Sequence, residues 1–169
     1  MTKSLENVKI TDLPTELVDL VTNALNDALE DFNTGQMPDP VFYVGSTQDK
    51  RIVRIPIDTQ NKDLTAAMVK MAADHMDADF IINIFEAWIL TRKNEDVKDK
   101  IMDMEGSISN HPDRETVLFC NVETYDKVYT TQIPEGSIMQ VENVEFYKST
   151  GSEGRFTRLL PNHPKRTVH

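Results

Sequence analysis

Hydrophobic positions recur at spacings of three and four between residues 13 and 32: Leu13, Leu17, Leu20, Val21, Ala24, Leu25, Ala28, Leu29 and Phe32. That period predicts an amphipathic helix over 14–32, ending near Asn33-Thr34-Gly35. Pro14 wastes no N–H in a first turn, and Asp12 is the expected N-cap.

After Met37-Pro38-Asp39-Pro40 the period changes. Residues 41–45 and 51–57 are rich in β-branched and aromatic side chains and read as a hairpin, with 46–50 as its loop. In the second strand Arg51, Val53, Ile55 and Ile57 share one side, and Ile52, Arg54 and Pro56 the other. Pro56 cannot donate to a ladder, so this strand ends there or lies at a sheet edge. Residues 63–73 favour helix, with Leu64, Ala67, Met68 and Met71 along one stripe. Residues 79–91 are apolar on both faces, as in a central strand covered on both sides. A helix through Leu90 fits the same run, but Ile81, Ile82, Ile84 and Ile89 favour strand.

The charged stretch from Arg92 to Asn110 spaces Val97, Ile101 and Met104 for one short helix after Asn94, or forms a loop. Four more strands are predicted over 116–124, 127–133, 138–147 and 155–160, separated by turn signals. Alternation slips near Glu142-Asn143, as at a β-bulge. Short connections make these strands an antiparallel meander. The pattern as a whole predicts one α+β domain over residues 1–160, mainly antiparallel sheet with two main helices packed on one face of it. A flexible tail over 161–169 follows.

Charge changes this picture more than length does. The chain of 169 residues suits one domain, but it carries 28 acidic against 18 basic residues, a net charge of −10. Such an excess argues against duplex-DNA binding, which needs a basic face to displace counterions. The helix 14–32 holds Glu16, Asp19, Asp27, Glu30 and Asp31 and no lysine or arginine, whereas Lys148, Arg155, Arg158, Lys165 and Arg166 gather near the C-terminus. The acidic face is therefore a candidate binding surface. It suits a basic protein partner, or self-association as a homo-oligomer in which the basic tail offsets it. A plain solubilising face is the simpler reading. The single cysteine, Cys120, excludes an internal disulfide and a Cys-rich metal site. No apolar run has signal-peptide or bilayer-spanning length, so a cytoplasmic protein without membrane attachment is expected.

The candidate chemistry is sparse. In His111-Pro112-Asp113-Arg114-Glu115, His111 could serve as a base or metal ligand oriented by Asp113. Two residues apart on a proline-fixed turn, however, the pair points apart, and a local turn with Asp113 accepting a backbone N–H explains every residue. The run Asp74-His75-Met76-Asp77-Ala78-Asp79 lacks the glycine and the distal glutamate of an EF-hand loop, which leaves helix-end capping. Cys120 lies mid-strand with no cation adjacent in sequence, which suits packing rather than nucleophilic attack. Glu86 interrupts an apolar strand whose neighbours Ile84, Phe85, Trp88 and Ile89 should be buried. It therefore needs a partner, and Arg114 is the one expected. No nucleotide-binding, hydrolase or CxxC motif occurs, and neither cofactor nor metal is expected.

The "EAW" of Glu86–Trp88, followed by "HPDRETVLFCNVE" from His111, resembles a pattern in small phage and prophage-type proteins without an assigned activity. The resemblance covers about residues 79–125. It implies a viral or mobile-element setting, and groups Glu86, Trp88, His111, Pro112, Asp113 and Arg114 as one structural motif. It implies no activity. The expected function is that of a non-enzymatic accessory protein acting by protein binding. The alternative is a small hydrolase-like enzyme using Glu86, His111 and Asp113.

Overall fold

The computed structural model describes residues 6–89, 115–149 and 160. Seven strands form one sheet in the order β1-β7-β6-β5-β4-β2-β3, every neighbouring pair antiparallel. They are β1 (Glu6–Lys9), β2 (Val41–Ser46), β3 (Arg51–Pro56), β4 (Phe80–Ile89), β5 (Glu115–Thr124), β6 (Val128–Pro134) and β7 (Glu145–Ser149). The helices are α1 (Thr15–Asn33) and α2 (Lys62–His75). The α+β class and the antiparallel meander are as the pattern predicts.

α1 forms where the three–four period lies, and it buries Leu17, Val21, Ala24, Leu25, Leu29 and Phe32. These side chains meet Phe80, Ile82 and Ile84 of β4 and Leu118, Cys120 and Val122 of β5 in one core cluster. Each fully buried aliphatic or aromatic side chain here contributes about 1.5–3 kcal/mol of transfer free energy. Asp12 is not the N-cap of α1. Pro14 holds that position, and the Asp12 carboxylate accepts the Lys9 N–H at 2.9 Å, closing a short 3-10 turn over Ile10–Asp12 instead. At the other end Gly35, with φ of 83°, allows Gln36 N–H to reach the Asp31 carbonyl at 2.9 Å. That left-handed stop is the glycine's usual place.

α2 lies on the opposite face of the sheet from α1, so the two helices do not share one face as the pattern predicts; the central strands are apolar on both sides and need a cover on each. Val69 and Ala73 pack with Phe42 and Val44 of β2, Ile55 of β3 and Ile81 of β4. The apolar stripe read from the sequence does not make this contact: the buried residues of α2 are Thr65, Ala66, Val69 and Ala73, while Leu64, Ala67, Met68 and Met71 are exposed. Small residues inside let the helix sit close to the large side chains of the sheet.

β4 is the central strand expected, paired with β2 on one side and β5 on the other. β3 ends at Pro56 and forms the sheet edge, with Val53 and Ile55 opposite Val44 and Phe42. The strand expected over 138–147 is shorter. Ile138 has φ of 48°, a 3-10 turn spans Val141–Asn143, and β7 begins only at Glu145. The slip at Glu142-Asn143 is thus this turn rather than a bulge. β1, four residues without a pattern of their own, pairs with β7 and buries only Val8. The stretch 92–110, the strand expected over 155–160 and the tail 161–169 lie outside the described residues, Leu160 excepted. Leu160 is buried and donates its N–H to Glu123 Oε2 at 2.9 Å.

Candidate functional site

Because α1 turns its apolar stripe to the sheet, its opposite face must carry Glu16, Asp19, Asp27, Glu30 and Asp31, and all five are exposed. Among the described residues none of these carboxylates takes part in an ion pair; the pair that does form joins Lys148 Nζ to Glu6 at 3.2 Å, between β7 and β1. Lys148 is thus engaged by Glu6 rather than by this helix, and Arg155, Arg158, Lys165 and Arg166 of the basic tail lie outside the described residues. The distribution along α1 matters as much as the number. Its first turn holds Glu16, which favours the positive end of the helix dipole, but its last turn holds no base. Glu30 and Asp31 sit in that last turn, at the negative end, instead. Asp27 and Asp31, four apart, also repel across one turn.

The same three-dimensional edge gathers residues that sequence reading left apart. A shallow groove of about 180 Å³ runs beside α1, lined by Asp27, Asp31, Asp39, Tyr43, Arg54 and Ile84 among others. Tyr43 and Arg54 are cross-strand partners in the β2–β3 hairpin, on the face that α1 covers. Arg54 shares the groove with three aspartates yet makes no ion pair among the described residues. Asp39 and Arg54 carried no signal in the sequence, because only the packing of α1 over the hairpin brings them beside Asp27.

Glu86 sits on β4 opposite Leu118, on the α1 face, and is half-buried. Burial pushes its carboxyl above the usual carboxylate range, and the nearby Glu135 adds to the rise. The structure therefore gives Glu86 an acidic neighbour just past the end of β6. The expected pairing with Arg114 falls outside the described residues, as do His111, Pro112 and Asp113. Trp88, expected in the core, is 43% exposed near the end of β4. Phe85 is half-buried and stacks on Phe119, ring centroids 5.4 Å apart.

The Asp74–Asp79 run ends α2 as expected. Asp77 takes the left-handed position with φ of 51°, and Ala78 N–H reaches the Ala73 carbonyl at 2.9 Å. Asp79 serves the hairpin loop, accepting the Thr47 N–H at 3.0 Å and the Thr47 hydroxyl. Among the described residues no three His, Cys, Asp or Glu side chains come together as a metal site. Cys120 is fully buried and its thiol is pushed up to about 12, so it packs rather than reacts. No described helix is long and apolar enough to cross a membrane. Among the described residues the acidic side of α1 gathers five carboxylates without an ion pair, and no family model, curated protein or solved structure matches the chain to add a relative's chemistry.

Proposed function

We propose that this protein is a non-enzymatic accessory protein that binds a basic protein partner through the exposed face of α1. One observation carries the reading: five exposed carboxylates lie on one helix face without an ion pair among the described residues, two of them in the last turn, where the helix dipole disfavours them. Mixed charge would make a more stable solvated helix. A basic partner surface supplies the missing cations, and the field of the face raises its association rate. The setting we propose is a phage or prophage, in the host cytoplasm, from the Glu86–Trp88 and His111–Glu115 resemblance. A hydrolase built on Glu86, His111 and Asp113 draws no support from the described residues.

A photo-cross-linking residue at Asn26, exposed on the same helix, tests the reading. The expected outcome is cross-linking to a basic protein in the host cell that is absent when the same probe replaces Gln132 on β6. Cross-links only between copies of this chain would assign the face to self-association. Equal cross-linking from both positions would remove the α1 face from the function.

A further inference from the structure

β3 pairs only with β2 among the described strands, so one side of its backbone is open. The Ile57 N–H donates to the Pro40 carbonyl at 3.0 Å. In that register residues 51, 53 and 55 turn their N–H and C=O groups toward β2, and Ile52 and Arg54 turn theirs outward. Two apolar side chains flank the open groups: Ile52 is 46% and Val53 41% exposed. They point to opposite faces of the sheet. Val53 lies opposite Val44, which packs with α2, whereas Ile52 lines the groove beside Glu16 and Leu20 of α1. A helix or loop laid on one face reaches only one of them. A strand added along the edge reaches both, and it pairs the open backbone as well.

The order of residues in β3 selects a second copy as that strand. Continuing the sheet antiparallel with like faces together requires a two-fold axis perpendicular to it, so the residue on the axis sets the register. With Val53 on the axis, Ile52 and Arg54 of one copy exchange about four hydrogen bonds with Arg54 and Ile52 of the other. Val53 then meets the partner's Val53, and the stem of Arg54 covers the partner's Ile52. Arg51 falls opposite the partner's Ile55, so no two like charges stand directly opposite. Arg54 also shares a groove with Asp27, Asp31 and Asp39 of its own chain, which tempers its repulsion from the partner's Arg54, diagonal to it.

The adjacent registers are poorer. An axis at Arg54 sets Arg54 against the partner's Arg54, and it spends a pairing position on Pro56, which has no N–H. An axis at Ile52 sets Arg54 against the partner's Lys50, which has already entered the hairpin turn with φ of 52°. We propose that the protein pairs with a second copy of itself along β3, in the antiparallel register centred on Val53. The pairing sets both α1 helices on one side of a continuous sheet, and it stands whether or not α1 binds a basic partner. A strand pair of this length alone buries less than about 1,200 Å², the range of weak and transient association, so the dimer grows in with protein concentration.

The test uses the full chain with one new thiol at a time. Cys120 is fully buried, so an engineered exposed cysteine is the one that oxidises. On the axis the two Val53 Cα atoms stand about 4.5 Å apart, within the roughly 4.4–6.8 Å that a disulfide spans. Val53→Cys is therefore expected to give a disulfide-linked dimer in a glutathione redox buffer. Arg51→Cys, displaced along the strand from its own copy, and Gln132→Cys, exposed on β6, should stay monomeric. In the native protein amide exchange at Ile52 and Arg54 should slow as concentration rises. Val53→Lys, which places two like charges on the axis, should abolish that slowing and leave the melting temperature of the dilute protein nearly unchanged. Linking of Val53→Cys no faster than that of Gln132→Cys would overturn the proposal. So would equal linking of Arg51→Cys and Val53→Cys, the mark of a parallel pair, or linking through Asn26→Cys alone, which assigns self-association to α1. Exchange at Ile52 and Arg54 that stays fast at every concentration would leave β3 without a second copy and overturn it equally.

Discussion

At Gly45 a single hydrogen stands where any other residue would carry a Cβ. That atom would lie 2.4 Å from the Phe80 ring and 2.7 Å from the Arg51 carbonyl, one buried in the core and the other fixed in the hairpin. Gly45→Ala should therefore destabilise the fold by about 1–3 kcal/mol, read as a lower urea midpoint. An unchanged midpoint would mean that the hairpin and Phe80 move apart freely. Glu86 tests a different force. Its folded-state proton affinity is raised above the ordinary value of 4.5, so its contribution is favourable below that pH and is lost as pH rises through the raised value. Glu86→Gln should then be more stable than the native protein near pH 7, about neutral, with the gap closing as pH falls toward 4.5. An ion pair with Arg114 reverses that sign, because removing the carboxylate would then lose an attraction. At this scale the sequence announced Glu86 as an anomaly, since a carboxylate interrupts an apolar run. It gave no hint of Glu135, which follows β6 and approaches only because β6 pairs with β5. Gly45 was equally silent, because its need arises from Phe80, thirty-five residues away.

The elements show where periodicity informs and where it misleads. α1 was legible throughout, because its apolar stripe and acidic face are separated cleanly around the helix. β4 was legible from its length and its isoleucines. α2 was not, because apolar residues occur on both of its sides and periodicity weighs hydrophobicity rather than size. Ala66 and Ala73 went inward and Met68 and Met71 outward, since a close helix–sheet approach leaves little room beside Phe42 and Ile81. It follows that Met68→Gln with Met71→Gln should leave the melting temperature nearly unchanged, whereas Val69→Ala should cost about 1–3 kcal/mol. The opposite ranking would place the stripe in the core. β7 was misplaced because alternation continues through residues whose backbone has already turned at Ile138 and Val141–Asn143. α1 offers an electrostatic test of its own. Neutralising Glu30 or Asp31 to the amide should stabilise the protein by about 0.3–1 kcal/mol each at low ionic strength. Glu16→Gln, at the favourable end, should be destabilising by a similar amount, and salt should erase both effects. If all three substitutions act alike, the helix dipole is not what distinguishes them.

Among the described residues the carboxylates of α1 lie along one helix face, with Arg54 in the groove of Asp27 and Asp31 and with Lys50 and Arg51 in that of Glu16. The acidic balance was visible in the composition, but which bases remain unpaired depended on the fold, as Lys148 is used by Glu6. The acidic helix stays marginally less stable than mixed charge would make it, as suits a face kept for a basic partner. The most direct measurement is titration of the partner recovered by cross-linking at Asn26, against the native protein and a variant carrying Glu16→Gln, Asp19→Asn, Asp27→Asn and Glu30→Gln. Each titration is repeated across a salt series. The native complex should weaken steeply with rising salt, and the variant should bind at least about tenfold more weakly at low salt with a much flatter salt dependence. Equal affinity and equal salt dependence in the two proteins would contradict the acidic-face mechanism.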